Sequence, residues 1–183
     1  SGSKGNAAIV ENAATGAGVL IDCGICKRDF LERCDEAGFD PTRLEAVFIT
    51  HEHGDHTKGL GVVLRGLAKL GCAPMVYVNR TCVDNSSTLQ KIAGDFETAT
   101  LGAALTLSQD ENASEGRNKA SVCDERVVCA AGLRVLPFAT SHDAAASFGF
   151  RVESPDGDAL GYITDSGIVT SAAHAALRDV RIL

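Results

Sequence analysis

Apolar residues gather into short runs punctuated by glycine, proline, asparagine and aspartate, and the spacing within each run predicts its element. Runs at 18–21, 46–49, 74–78, 133–139, 147–152 and 159–164 are rich in Val, Leu, Ile and Phe and bounded by turn formers, which is the pattern of strands. Residues 7–10 add a strand joined to 18–21 through the turn-rich piece 12–16, and 126–130 pairs with 133–139 through Ala131-Gly132. Elsewhere the period is helical. Phe30, Leu31, Cys34 and Ala37 share one face of 28–37, with Asp29 in the first turn and Gly38 placed to end it. Leu60, Val63, Leu64, Leu67 and Leu70 form a stripe that Gly71 stops. Residues 82–93 and 171–178 predict two more helices, and 180–183 a last apolar strand. Residues 96–107 mix strand and irregular signals. Residues 108–121 are polar without apolar period and predict a long exposed loop.

Strands alternate with helices through the first half, and hairpins follow. With 183 residues, 45% of them hydrophobic, the chain is expected to be one α/β domain over 1–183. No run approaches the roughly 18 apolar residues that span a bilayer, so no membrane partner is expected. The net charge of −7 argues against a broad basic surface gripping nucleic acid. A phosphodiester or DNA substrate would be held locally, by metal ions and a few cations. Seven cysteines without scaffold spacing fit a reducing cytoplasm.

Chemistry concentrates in Thr50-His51-Glu52-His53-Gly54-Asp55-His56, which holds three of the five histidines directly after an apolar strand. Imidazole and carboxylate are the ligands of zinc, manganese and iron, and no thiolate accompanies them here. Side chains two apart on an extended stretch share a face. His51 and His53 can therefore chelate one ion, while Asp55 and His56, beyond Gly54, can turn toward a second. His142 and Asp165 also sit at predicted strand ends, whereas His174 lies within a predicted helix and is not expected to be a ligand. Ser141, His142 and Asp143 are sequence neighbours and do not converge as a catalytic triad does. The opening loop 1–6 bears glycines whose amides can face an anion, but it matches neither the P-loop nor the Rossmann pattern. Cys23-Gly24-Ile25-Cys26, between a strand and a helix, gives a rival reading as a thiol-disulfide redox protein. That reading leaves the histidines without a role. A second rival is a metal-binding module without turnover.

His51-x-His53-x-Asp55-His56 after a buried strand resembles the signature of the metallo-β-lactamase-fold hydrolases, and the opening Ser1-Gly2-Ser3-Lys4-Gly5-Asn6 resembles the YycJ/WalJ-type branch, related to RNase Z and the phosphodiesterase PhnP. The resemblance implies a four-layer αββα sandwich of two mixed sheets with the site at one edge. It implies two divalent metal ions, Zn or Mn with Fe as a third candidate. His51, His53 and His142 would bind the first ion, Asp55 and His56 the second, and Asp165 would bridge them. Asp22 of Asp22-Cys23-Gly24 would orient ligands from behind. The implied activity is hydrolysis of a phosphodiester, as a phosphodiesterase or DNA exonuclease, by a hydroxide activated between ions about 3.5–4 Å apart. Asp55 would be catalytic, orienting that hydroxide and taking or relaying its proton. The pattern also calls for a strand before Ser1 and a further histidine after residues 180–183. The chain is thus expected to be a fragment cut at both ends, with its second metal site one ligand short.

Overall fold

The computed structural model describes residues 5–101 and 127–183, so the expected loop 108–121 and most of the opening loop lie outside the described residues. The first sheet is ordered β1(Ala8–Asn12), β2(Ala17–Ile21), β3(Leu44–Phe48), β4(Met75–Val78), β5(Thr98–Thr100). β1 pairs antiparallel with β2, and β2 to β5 run parallel. The second sheet, β6(Val128–Ala130), β7(Leu133–Ala139), β8(Phe148–Glu153), β9(Ala159–Tyr162), is antiparallel throughout. Only the first sheet is therefore mixed. Parallel strands need crossover helices, and the first half of the chain supplies them, whereas the second half is built of short hairpin links.

Strand alternation divides the core into two layers. Val19 and Ile21 of β2 and Ala46 and Phe48 of β3 face the second sheet, where they meet Leu133, Val135, Phe148, Phe150 and Val152. Phe48 stacks on Tyr77 at 5.0 Å between centroids and meets Phe150 at 5.5 Å. The intervening residues, Leu20, Val47 and Ile49, face outward and pack under α1(Lys27–Ala37), α3(Leu60–Ala68) and α5(Ser87–Asp95), through Phe30, Cys34, Val63, Leu64, Leu67, Leu89 and Ile92. α6(Ser171–Ala176) covers the outer side of the second sheet with Ala173 fully buried. The layers are helix, sheet, sheet, helix, as expected. Among the described residues no helix is long and apolar enough to cross a membrane.

Two further expectations are corrected, beside that of two mixed sheets. The helix predicted over 82–93 is two helices, α4(Arg80–Asp84) and α5. Ser86 interrupts it by capping α5, its hydroxyl accepting from Leu89 N, while Asn85 Nδ2 donates back to Thr81 O at 2.9 Å. The run 180–183 makes a single parallel bridge from Ile182 to Leu160 rather than a strand.

Candidate metal centre

β2 and β3 are adjacent and parallel, so Asp22 and the segment from Thr50 onward emerge side by side at their carboxyl ends. His51 continues β3 and is fully buried. His53 is extended (φ −62°, ψ 148°) and occupies the N-cap of the short α2(Gly54–Thr57), whose first turn holds Asp55 and whose last holds the buried His56. The loop is closed by Thr57 Oγ1 donating to His53 O at 3.0 Å. From the second sheet come His142, in the 140–147 loop after β7, and Asp165, beyond β9 at φ 50°. Phe148 N donates to Thr50 O at 3.0 Å, and Gly167 N to Ser141 O at 2.7 Å, so the two sheets and their loops are tied at the site.

Two ligand groups result. His51, His53 and His142 form one, and His51, His56 and Asp165 the other; within each, the donor atoms lie within 4.8 Å of one another. His142 Nε2 is 3.2 Å from His53 Nδ1, and His56 Nε2 is 2.7 Å from Asp165 Oδ2. His51 Nε2 is 4.0 Å from the same Asp165 oxygen and is buried without a hydrogen-bond partner among the described residues. Such an atom is costly inside a protein unless something binds it. Burial, then the charges of His56, His142 and His53, lower the His51 pKa to about 4. The ring is therefore neutral at pH 7 with a lone pair to give. Imidazole and carboxylate donors around that atom fit a divalent ion.

Asp22 lies behind the histidines, fully buried at φ 59°. It accepts from Thr50 N at 2.9 Å and Thr50 Oγ1 at 2.8 Å, and its Oδ2 is 2.7 Å from His56 Nδ1. Since the Thr50 hydroxyl donates to Asp22, its oxygen accepts from His51 Nδ1, 3.0 Å away. Both rings thus carry their proton on Nδ1 and turn Nε2 toward the site. Burial raises the Asp22 pKa. Burial alone would lower that of His56, but the hydrogen bond and charge of Asp22, then the charges of Asp55 and Asp165, raise it, so without an ion the ring favours a second proton on Nε2, against Asp165.

Each of the expected ligands except Asp55 falls in a ligand group. Asp55 Oδ2 lies 3.8 Å from His56 Nε2 and 3.5 Å from Asn6 Nδ2, on the open side of the site. Asp165 sits against His56 rather than midway, and His51 is common to both groups. His174 is exposed on α6 and belongs to neither. Thr50 and Asn6 went unread as site residues, although Asn6 Nδ2 is 2.9 Å from His56 Nε2. The only signal for them was proximity to singled-out motifs. Cys23 is buried and its thiol is pushed up to about 12, by burial and then by Asp22 and Cys34. A redox nucleophile needs the opposite shift. Cys26 is exposed and caps α1, its sulfur accepting from Asp29 N at 3.5 Å.

A family model described as a beta-lactamase superfamily domain matches residues 18–183. The exodeoxyribonuclease WalJ of Streptococcus pneumoniae is 29% identical over 196 residues, covering all of this chain and 62% of its own length. The chain therefore spans less than two thirds of that curated relative. The crystal structure of human tRNase Z, short form, matches with a TM-score of 0.63 and 21% identity, over 94% of this chain and 66% of that one. A diphosphatase from the PhnP family matches with a TM-score of 0.63 and 20% identity, over 94% of this chain and 56% of that one. At these identities the two structures speak for the fold.

Proposed function

The chain belongs to the beta-lactamase superfamily, and on that premise we propose that it is a metal-dependent phosphodiesterase, with DNA exonuclease action as its specific form. The observation that carries the metal dependence is the buried, unpartnered Nε2 of His51, common to two groups of imidazole and carboxylate donors. The phosphodiester reading is supported by the curated relative, named as an exodeoxyribonuclease.

In this reading His51, His53 and His142 would hold one divalent ion, and His56 and Asp165, with Asp55 beside them, would hold a second. Zinc and manganese are the first candidates and iron the third, since the donors are nitrogen and oxygen without sulfur. Such ions, when bound, would supply Lewis acidity toward a phosphoryl oxygen and toward water. Asp22 keeps a proton on His56 Nδ1, and Thr50 fixes the His51 ring, so that in both rings Nε2 is the atom aimed at the ion. Asp55, with 35% of its side chain exposed, is the carboxylate that can orient the water and receive its proton. The net charge of −7 fits a substrate gripped at the scissile phosphate rather than across a broad basic surface.

The test is hydrolysis of bis(p-nitrophenyl) phosphate and of end-labelled single- and double-stranded DNA by the purified chain, before and after chelation, with zinc or manganese restored. Release of nitrophenol and of terminal nucleotides that stops on chelation and returns with metal is expected. Stoichiometric metal without cleavage of any substrate would overturn the enzymatic reading in favour of a binding module, and dithiol reduction of insulin without metal would favour the redox one.

A further inference from the structure

We propose that Glu52, the residue between the two motif histidines, positions His142 by holding the tip of the loop that carries it. This rests on the reading of His51, His53 and His142 as one ion's ligands. On the extended segment His51 and His53 share a face, so Glu52 points the other way. There its Oε1 accepts from Ala145 N at 2.7 Å. The 140–147 loop contains no helix or strand, so its shape depends on such ties. Its base is closed by Thr140 N donating to Ser147 O at 3.0 Å and by the Thr140 and Ser147 hydroxyls at 2.7 Å. Its tip is fastened at Ala145 by Glu52 and at Ala146, whose carbonyl accepts from Cys82 Sγ at 3.3 Å. Burial, then the adjacent Glu52 carboxylate, pushes the Cys82 thiol up to about 12, which keeps it a donor. His142 stands between the fastened base and the fastened tip, with its Nε2 3.2 Å from His53 Nδ1. One residue of the metal motif thus reaches from the first sheet to set the ligand contributed by the second.

The role makes a prediction that a purely electrostatic effect reverses. Glu52→Gln keeps an oxygen for Ala145 N but loses the charge. Glu52→Asp keeps the charge but withdraws the oxygen by one methylene, and Glu52→Ala removes both. The experiment titrates Zn²⁺ into the metal-free full chain against a chromophoric chelator, with circular dichroism on each variant and visible spectra of the Co²⁺-loaded proteins. Expected are affinity within about threefold of the unaltered protein for Glu52→Gln and a loss of about ten- to a hundredfold for Glu52→Asp and Glu52→Ala. Their cobalt spectra should move toward that of His142→Ala. Should Glu52→Ala fail to fold, the contrast between Gln and Asp still decides. Equal affinities across the series, or weak binding by Gln with full binding by Asp, would overturn the proposal. Absence of zinc binding in the unaltered chain would instead overturn the metal reading beneath it.

Discussion

Replacing Asp22 separates the two tasks this carboxylate performs. In Asp22→Ala three buried donors lose their acceptor: Thr50 N–H, Thr50 O–H and His56 Nδ1–H. Each stranded donor costs about 1–3 kcal/mol, and alanine at φ 59° adds about 1 kcal/mol, because its Cβ crowds the next carbonyl in the left-handed region. A loss of about 4–6 kcal/mol is expected, since Thr50 O–H can rotate to another acceptor. Asp22→Asn differs. Asparagine tolerates that backbone conformation, its Oδ1 still accepts from Thr50, and the exchange of one charged hydrogen bond for a neutral one costs about 1 kcal/mol. Its amide nitrogen then stands against His56 Nδ1 and donates to it. The ring proton moves to Nε2, which faces Asp165 and can no longer ligate. Metal affinity at that position should fall about ten- to a hundredfold in a protein that remains folded. Urea unfolding of the metal-free variants and zinc titration by calorimetry measure the two quantities. Asp22→Asn with unaltered affinity for every ion, or as unstable as Asp22→Ala, would refute the reasoning.

Because His51 and His142 are read as ligands of the same ion, His51→Ala and His142→Ala should each lower metal content at that position, with native circular dichroism; full metal content in either by elemental analysis would contradict the assignment. A Cβ on Gly24 would lie 1.5 Å from Asp55 O, so Gly24→Ala should cost about 3 kcal/mol or more. Gly94→Ala, in α5 with nothing within 4 Å, should stabilise by about 0.5–1 kcal/mol; comparable urea midpoints for the two would be wrong. The Cys23 and Cys82 thiols have an ordinary pKa of 9.0 and one of about 12 when folded. Folded pKa values raised above the unfolded ones leave stability intact below pH 9 and erode it as pH climbs toward 12. Replacing both thiols with alanine should flatten that decline in pH-dependent unfolding.

The architecture could be read from the chain wherever one face of an element is buried, since burial imposes a period. β7 spans the residues that the apolar run marked, and α1 starts one residue earlier than its pattern. The break between α4 and α5 escaped because the helical period runs through it; what divides them is a pair of polar side chains turning onto the backbone. The run 180–183 is apolar enough for a strand, yet strand pairing depends on partners elsewhere, and among the described residues it finds one bridge. At the candidate site, the resemblance and the strand-end settings marked His142 and Asp165, which the fold brings beside His53 and His56. The shared position of His51 was not legible, because it depends on how far apart two sheets hold their loops. Nor was the Glu52 contact, which joins residues 93 apart in sequence.

The floor of the site is woven from main chain. Asn6 N donates to Asp55 O, Gly24 N to Asn6 O, Cys23 N to His56 O and Gly59 N to Cys23 O, at 2.7 to 2.9 Å. These four amides join three loops, and none can be released without loosening the segment that carries Asp55 and His56. In hydrogen exchange they should therefore open together, with one free energy, as a single unit. Any ion that binds only the closed form slows that opening by the factor 1 + [L]/Kd. The exchange rate of a glycine amide thus becomes a gauge of metal occupancy.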